Sequence, residues 1–178
     1  VRFHTYPGFF YETSVSNQAK VSGFSAFLAD IEAEEQPDVF LIQLPGGLMK
    51  YNNRHLNGLG IGAYLAAQAV TCDCFILSAS CGFASPEIFE SLDKHFREIL
   101  NAKVNAISIS NRLPNSIDLS ASTGELKYFY FTPKRVREIL NRYCSNESSI
   151  PFFPLFEEES QEKPYVNIFL NTLWEEIF

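Results

Sequence analysis

Apolar residues recur at helical spacing in some stretches of the chain and form short continuous runs in others, and the two patterns alternate. Helical spacing predicts a helix over Val21–Ile31 and a second, almost wholly apolar helix over Gly58–Val70. Ser85-Pro86 and Thr132-Pro133 each place a capping residue before a proline, which predicts the starts of two further helices.

Four apolar runs lie between or beside these helices and predict strands. They are residues 39–44, 74–77, 104–110 and 127–131. Parallel strands joined by helices need right-handed crossovers that pack on the sheet. The pattern therefore predicts an α/β fold, a three-layer sandwich with helices on both faces of a mainly parallel sheet.

The pattern also predicts how the chain is organised. Residues 1–144 are expected to form one α/β domain, in which residues 1–15 are an irregular aromatic lead-in preceded by more chain. Residues 145–163 predict an irregular acidic connection, and residues 164–178 an amphipathic helix packed on the same domain. Because both ends are rich in aromatic residues, one end is expected to meet a second copy of the chain in a homodimer.

Composition narrows the classes of function. The 178 residues are 46% hydrophobic and 20% charged, which excludes a disordered chain. No apolar run reaches the ~18 residues of a membrane span and no signal peptide is evident, so we expect a cytoplasmic protein. The net charge of -7 argues against a general nucleic-acid binder.

The four cysteines, Cys72, Cys74, Cys81 and Cys144, lack the C-x2-C spacing of a zinc site. We therefore expect reduced, buried thiols and no metal. Cys81 is the best candidate nucleophile, because it lies just before a predicted helix start, where the helix dipole favours a thiolate.

Ligands of open parallel sheets bind at the carboxyl ends of the strands. The loop Pro45-Gly46-Gly47 follows the first predicted strand and is either a phosphate cradle or a tight turn. Ser80 and Asn111-Arg112 follow later strands and offer a hydroxyl, an amide and a guanidinium. We expect this loop, Asn53, Ser80 and Asn111 to converge on one pocket, with Asn57 as a further ligand-binding residue.

The N-terminal half of the chain resembles the C-terminal half of the peptide maturation system protein family. The resemblance covers residues 1 to about 80, and the remainder only by its order of helices and strands. It is carried by Phe3-His4-Thr5-Tyr6-Pro7, by Pro37-Asp38-Val39 and Gln43-Leu44-Pro45-Gly46-Gly47-Leu48-Met49, and by Asn53, Asn57, Gly60, Ile61, Ala63 and Tyr64.

Members of that family are longer than this chain and are encoded beside Cys-rich bacteriocin-type precursor peptides and a radical SAM maturase. The resemblance implies an accessory protein in the maturation of a ribosomally synthesised peptide. Its expected partners are the Cys-rich precursor peptide and the maturase.

The first predicted strand and Pro45-Gly46-Gly47 are also similar to the second-motif strand of dethiobiotin-synthetase-like NTPases. That similarity implies a degenerate P-loop half domain, with a nucleotide as the ligand. Gln43 stands near the point where those enzymes place an acidic residue for magnesium, which disfavours metal binding and hydrolysis. Two alternatives stay open: an ATP-dependent ligase or transferase whose phosphate loop lies upstream, and a non-enzymatic interaction domain.

Overall fold

The computed structural model describes residues 2–44, 47, 60–83, 85–115, 127–143 and 150–154. The chain divides into two compact units, residues 1–72 and residues 73–178, and each is described here by itself. The expected helix at 164–178 lies outside the described residues, as do Pro45, Gly46, Asn53 and Asn57.

The first unit is built on helix α1, Asn17–Glu35. Its first turn is capped by Ser16, whose Oγ accepts a hydrogen bond from the backbone N–H of Ala19 at 3.2 Å. The helix ends at Gln36, which adopts a left-handed conformation with φ of 47° just before Pro37. The helix thus begins at Asn17, before the predicted start at Val21.

The aromatic N-terminal segment packs on α1. After a short 3-10 turn, Gly8–Phe10, the ring of Phe10 lies 5.3 Å from that of Phe24, and Tyr6 stacks on Phe24 at 4.9 Å. Helix α2, Ile61–Ala69, adds Leu65 to this buried cluster. Part of the predicted aromatic lead-in thus belongs to the core of its own unit.

Residues 39–44 differ from their prediction as a strand covered on both faces. They pair with no described strand, and Val39 and Leu41 are 74% and 89% exposed. Ile42 and Leu44 on the other side pack against the core of the first unit. The prediction is wrong because an apolar sequence does not by itself provide packing partners on both faces. Here only one side of the segment has a partner, the core of the first unit.

The second unit contains the parallel sheet. Strand β1, Ile76–Ser80, pairs in parallel with β2, Ala106–Ser110, from Ile76↔Ala106 to Ser80↔Ser110. Helix α3, Pro86–Leu100, makes the crossover and is capped by Ser85 as predicted. The rings of Phe75 and Phe96 pack in a T-shaped arrangement with their centroids 5.2 Å apart, which ties α3 to the start of β1.

The third strand of this sheet, β5, Phe152–Pro154, comes from the predicted irregular connection. It pairs in parallel with β2, so the strand order is β1-β2-β5. This strand is not evident from the sequence because it has only three residues and lies in a stretch of mainly polar and acidic composition. Its terminal proline is tolerated because β5 lies at the edge of the described sheet. Of the described residues, these three strands make up the parallel sheet.

The predicted strand at 127–131 lies outside that sheet. Its central part, β4, Tyr128–Tyr130, pairs antiparallel with β3, Arg112–Pro114, to form a separate hairpin. Helix α4, Pro133–Tyr143, follows, and Thr132 caps it by accepting a hydrogen bond from Arg135 N at 3.3 Å. The fold is therefore mixed α/β with a small parallel sheet and helices.

Candidate ligand site at the carboxyl ends of the parallel strands

Ser80 and Asn111 lie together at one edge of the sheet. Ser80 is the last residue of β1 and is in register with Ser110, which directly precedes Asn111. Parallel strands present their carboxyl ends at the same edge, which explains why these two predicted residues are neighbours.

The hydroxyl of Ser80 is engaged within this edge. Its Oγ donates a hydrogen bond to the carbonyl oxygen of Arg112 and accepts one from the N–H of Gly82 at 3.4 Å. The hydroxyl thus joins the end of β1 to the start of the hairpin. A ligand would have to compete for, or share, this hydroxyl.

Asn111 joins the two strands at the same open end of the hairpin. Its Nδ2 donates to the carbonyl oxygen of Phe131 at 3.1 Å, while its own carbonyl accepts from Phe131 N at 2.9 Å. The side-chain Oδ1 accepts no hydrogen bond from a described residue and is the acceptor that Asn111 can offer to a ligand. Asn111 therefore has both a structural role and spare binding capacity.

Arg112 adds a cation to the same edge. Its guanidinium carbon lies 5.5 Å from the centre of the Tyr128 ring, within the range of a cation–π contact. The sequence pattern identified the guanidinium but not the aromatic residues beside it. The contact between Arg112 and Tyr128 was not evident from the sequence because 15 residues, 113–127, separate the two along the chain.

Cys81 is not poised as a nucleophile in this arrangement. The residue is 1% exposed, and its Sγ–H donates to the Arg112 carbonyl at 3.6 Å. Burial raises the pKa of this thiol, and the nearby N–H groups of Cys81 and Gly82 only partly offset that effect. The shift is opposite to the one expected from the helix start, because burial in an apolar setting disfavours the thiolate.

Of the predicted glycine loop, only Gly47 lies among the described residues. Its carbonyl accepts a hydrogen bond from Gly60 N at 2.8 Å, and Gly60 has a φ of 75° that favours glycine. This contact belongs to the first unit and holds the residue before α2. The hydrogen bond between Gly60 and Gly47 is thus a structural contact. A phosphate-binding role for the loop Pro45-Gly46-Gly47 stays a prediction.

The first unit also has a cleft, of about 300 Å³, between α1, residues 40–42 and the end of α2. Leu28, Ala29, Phe40, Ile42, Ala69 and Val70 form its apolar lining, and Ser25 and Glu32 contribute the polar groups. With so few polar groups facing it, this cleft offers a ligand less directional binding than the strand ends do.

Among the described residues, no group of three or more His, Cys, Asp or Glu side chains is arranged to hold a metal ion. Within the same residues, no helix has the length and apolar character needed to cross a bilayer. Comparison of the chain with protein-family models, with curated proteins and with solved structures found no match.

Proposed function

We propose that this protein is an accessory factor in the maturation of a ribosomally synthesised, Cys-rich peptide. It would bind the precursor peptide, or the maturase, at the carboxyl ends of β1 and β2. The peptide-maturation part of this proposal is supported by the sequence resemblance carried by the stretches in residues 1 to about 80.

The observation that supports the position of the binding site is the neighbourhood of Ser80 and Asn111. The two residues come from different strand ends, and the Ser80 hydroxyl donates a hydrogen bond to the main-chain carbonyl of Arg112, the residue that follows Asn111 and carries an exposed guanidinium. Such groups can bind the carbonyl and N–H groups of a peptide backbone or the polar edge of a nucleotide base. No transfer reaction is needed to account for this set.

The proposal also includes a finer description of the fold. The parallel order β1-β2-β5 with a helical crossover is compatible with half of a degenerate P-loop NTPase, to which residues 38–47 are similar. A nucleotide is then a second ligand of the same edge. A homodimer in the cytoplasm completes the proposal.

Binding of a fluorescein-labelled, reduced Cys-rich precursor peptide to the full chain tests this function. Ser80→Ala is expected to weaken binding about three- to tenfold, the effect of one lost neutral hydrogen bond. The matched control is Ser91→Ala, because Ser91 is an exposed serine on α3 and lies in the same unit. Equal affinity of both variants and the unchanged protein would contradict the proposed site.

Titration with ATP separates this proposal from the ligase alternative. An accessory protein with a degenerate phosphate loop is expected to bind ATP weakly and without dependence on magnesium. Tight, magnesium-dependent binding would instead support the ATP-dependent ligase or transferase.

A further inference from the structure

The segment from Lys127 to Arg137 is strongly basic in an acidic protein. It contains four cationic residues and no carboxylate, whereas the whole chain has 21 acidic and 14 basic residues. The segment includes β4 and the first turns of α4. Positive charge is thus concentrated on one supersecondary element, next to the strand ends described above.

The hairpin register places one arginine and two tyrosine side chains on the same face. Arg112 is opposite Tyr130, and Pro114 is opposite Tyr128. Because side chains alternate along a strand, Arg112, Tyr128 and Tyr130 lie on the same side of the hairpin. Tyr130 is 69% exposed and Arg112 is exposed as well, so the face that holds Tyr130 and the guanidinium against the Tyr128 ring is open to solvent.

The charge of Arg112 is not neutralised within the described part of the chain. No described carboxylate forms an ion pair with it, and the same is true of the exposed Lys134 at the start of α4. Arg97 and Arg135, in contrast, are paired with carboxylates at 2.7 and 2.8 Å. Within the part of the chain that the structure describes, the hairpin face therefore carries a guanidinium that has no carboxylate partner and lies against an aromatic ring.

We propose that the face formed by Arg112, Tyr128 and Tyr130 binds an acidic segment of a partner polypeptide. A glutamate or aspartate side chain can accept two parallel hydrogen bonds from the guanidinium, whose orientation the Tyr128 ring restricts. Tyrosine rings add apolar contact area and hydroxyl donors, and tyrosine and arginine are enriched among residues that dominate interfaces. This inference names the partner chemistry at the edge described above, and so rests on the proposed function for its location.

A peptide fits this face better than a nucleic acid does. Nucleic-acid binding draws its affinity from a row of contacts to consecutive phosphates. Among the described residues, Arg112 and Lys134 have no carboxylate partner, whereas Arg135 is paired with Glu138, and the chain carries a net charge of -7. A short acidic peptide needs only a few cations and does not suffer repulsion over a long surface.

The test uses the full chain and a short, fluorescein-labelled, glutamate-rich peptide, with anisotropy as the readout. Arg112→Gln is expected to weaken binding about ten- to hundredfold, the range for a charge-assisted hydrogen bond to an ionised group. Arg112→Lys is expected to lose part of that affinity, because lysine keeps the charge but not the planar, bidentate geometry. Tyr130→Ser is expected to weaken binding by about threefold or more.

The matched control is Lys94→Gln, which removes one exposed positive charge from α3 in the same unit. The Lys94→Gln variant should bind the glutamate-rich peptide within about twofold of the unchanged protein. The exposed charge of Lys94 lies on α3 rather than on the hairpin and is screened by solvent and salt. An effect of Arg112→Gln no larger than that of Lys94→Gln would overturn the proposal. Tighter binding of a labelled single-stranded oligonucleotide than of the acidic peptide would overturn it in favour of a nucleic acid.

Thermal unfolding of each variant separates binding from folding. The Arg112 side chain is exposed, and the Ser80 and Cys81 bonds go to its main-chain carbonyl, so Arg112→Gln loses only the exposed contact with the Tyr128 ring and the midpoint should fall by no more than ~4 °C. If the Glu-rich peptide binds through Arg112 while Ser80→Ala leaves the Cys-rich peptide unaffected, the proposed function fails and this inference stands. If the Cys-rich peptide depends on Ser80 but the Glu-rich peptide does not bind, only this inference fails.

Discussion

Two extended stretches of the chain, residues 39–44 and strand β2, contrast in composition and in burial. The first, Val39-Phe40-Leu41-Ile42-Gln43-Leu44, is almost entirely apolar, yet Leu41 is 89% exposed. Strand β2, Ala106-Ile107-Ser108-Ile109-Ser110, contains two serines, yet Ile107 is wholly buried and Ser108 is buried too. The more hydrophobic stretch is therefore the less buried one.

The difference lies in the neighbours of each stretch. Strand β2 has β1 on one side and β5 on the other, and its backbone groups are paired in both directions. The hydroxyl of its buried Ser108 lies 2.8 Å from that of Ser78 on β1. Burial is thus set by the partners that a segment finds, and a polar side chain is accommodated once its hydrogen bond is made.

Hydrogen exchange gives the largest expected contrast. The amides of β2 should exchange at least about a thousandfold more slowly than those of residues 40–44, because opening a domain core costs ~5 kcal/mol or more. Ile107 N, for example, donates to Pro151 O at 2.9 Å. Exchange measured by mass spectrometry with residue-level fragmentation would test this. Comparable protection of residues 40–44 would show that they are paired in solution and would break the comparison.

Truncation to alanine tests the same contrast through stability. Ile107→Ala is expected to lower the free energy of unfolding by ~2–5 kcal/mol, since it leaves a cavity in a fully buried site. The matched control, Leu41→Ala, should change it by no more than ~0.5 kcal/mol because that side chain is already in solvent. Denaturant unfolding of both variants provides the measurement. A loss above ~2 kcal/mol for Leu41→Ala would mean that its side chain is covered.

The turn after β1 should be more sensitive to added volume than the turn in the first unit. A Cβ at Gly82 would overlap the Leu113 Cδ1 methyl, whereas a Cβ at Gly8 would meet no atom within 4 Å. Gly82→Ala is therefore expected to cost ~1–3 kcal/mol of stability through overpacking. Gly8→Ala should cost nothing and can stabilise slightly by restricting the unfolded chain. Equal midpoints of thermal unfolding for the two variants would refute the close approach of Leu113, on the hairpin, to Gly82 in the turn after β1.

Local signals in the sequence predicted the helices well and the strand partners poorly. Ser85 and Thr132 cap α3 and α4 as predicted, because a cap needs only residues within one turn of itself. Residues 39–44 and β5 were misassigned, since pairing depends on distant segments and on burial. A run of apolar residues could not distinguish a paired strand from an exposed one.

The candidate site shows the same limit. Ser80 and Asn111 were predicted to be neighbours because the ends of adjacent parallel strands meet at one edge, and they are neighbours. The pairing of Arg112 with Tyr128 depends on a hairpin that joins distant positions, so the sequence pattern did not reveal it. The remaining members of the predicted pocket, apart from Gly47, lie outside the described residues.

The smallest expected effect concerns the serine pair that allows polar residues inside the sheet. Ser108→Ala should lower the free energy of unfolding by ~1 kcal/mol, because one intramolecular hydrogen bond is lost while Ser78 can turn to water. Ser78→Ala should have a similar cost, since the buried Ser108 hydroxyl still lies 3.5 Å from the Leu77 carbonyl. If the two hydroxyls stabilise each other, the double variant will lose less than the sum of the single losses. Strictly additive losses in denaturant unfolding would mean that the two hydroxyls are in contact without energetic coupling, and that backbone pairing and apolar packing keep β2 buried without help from this pair.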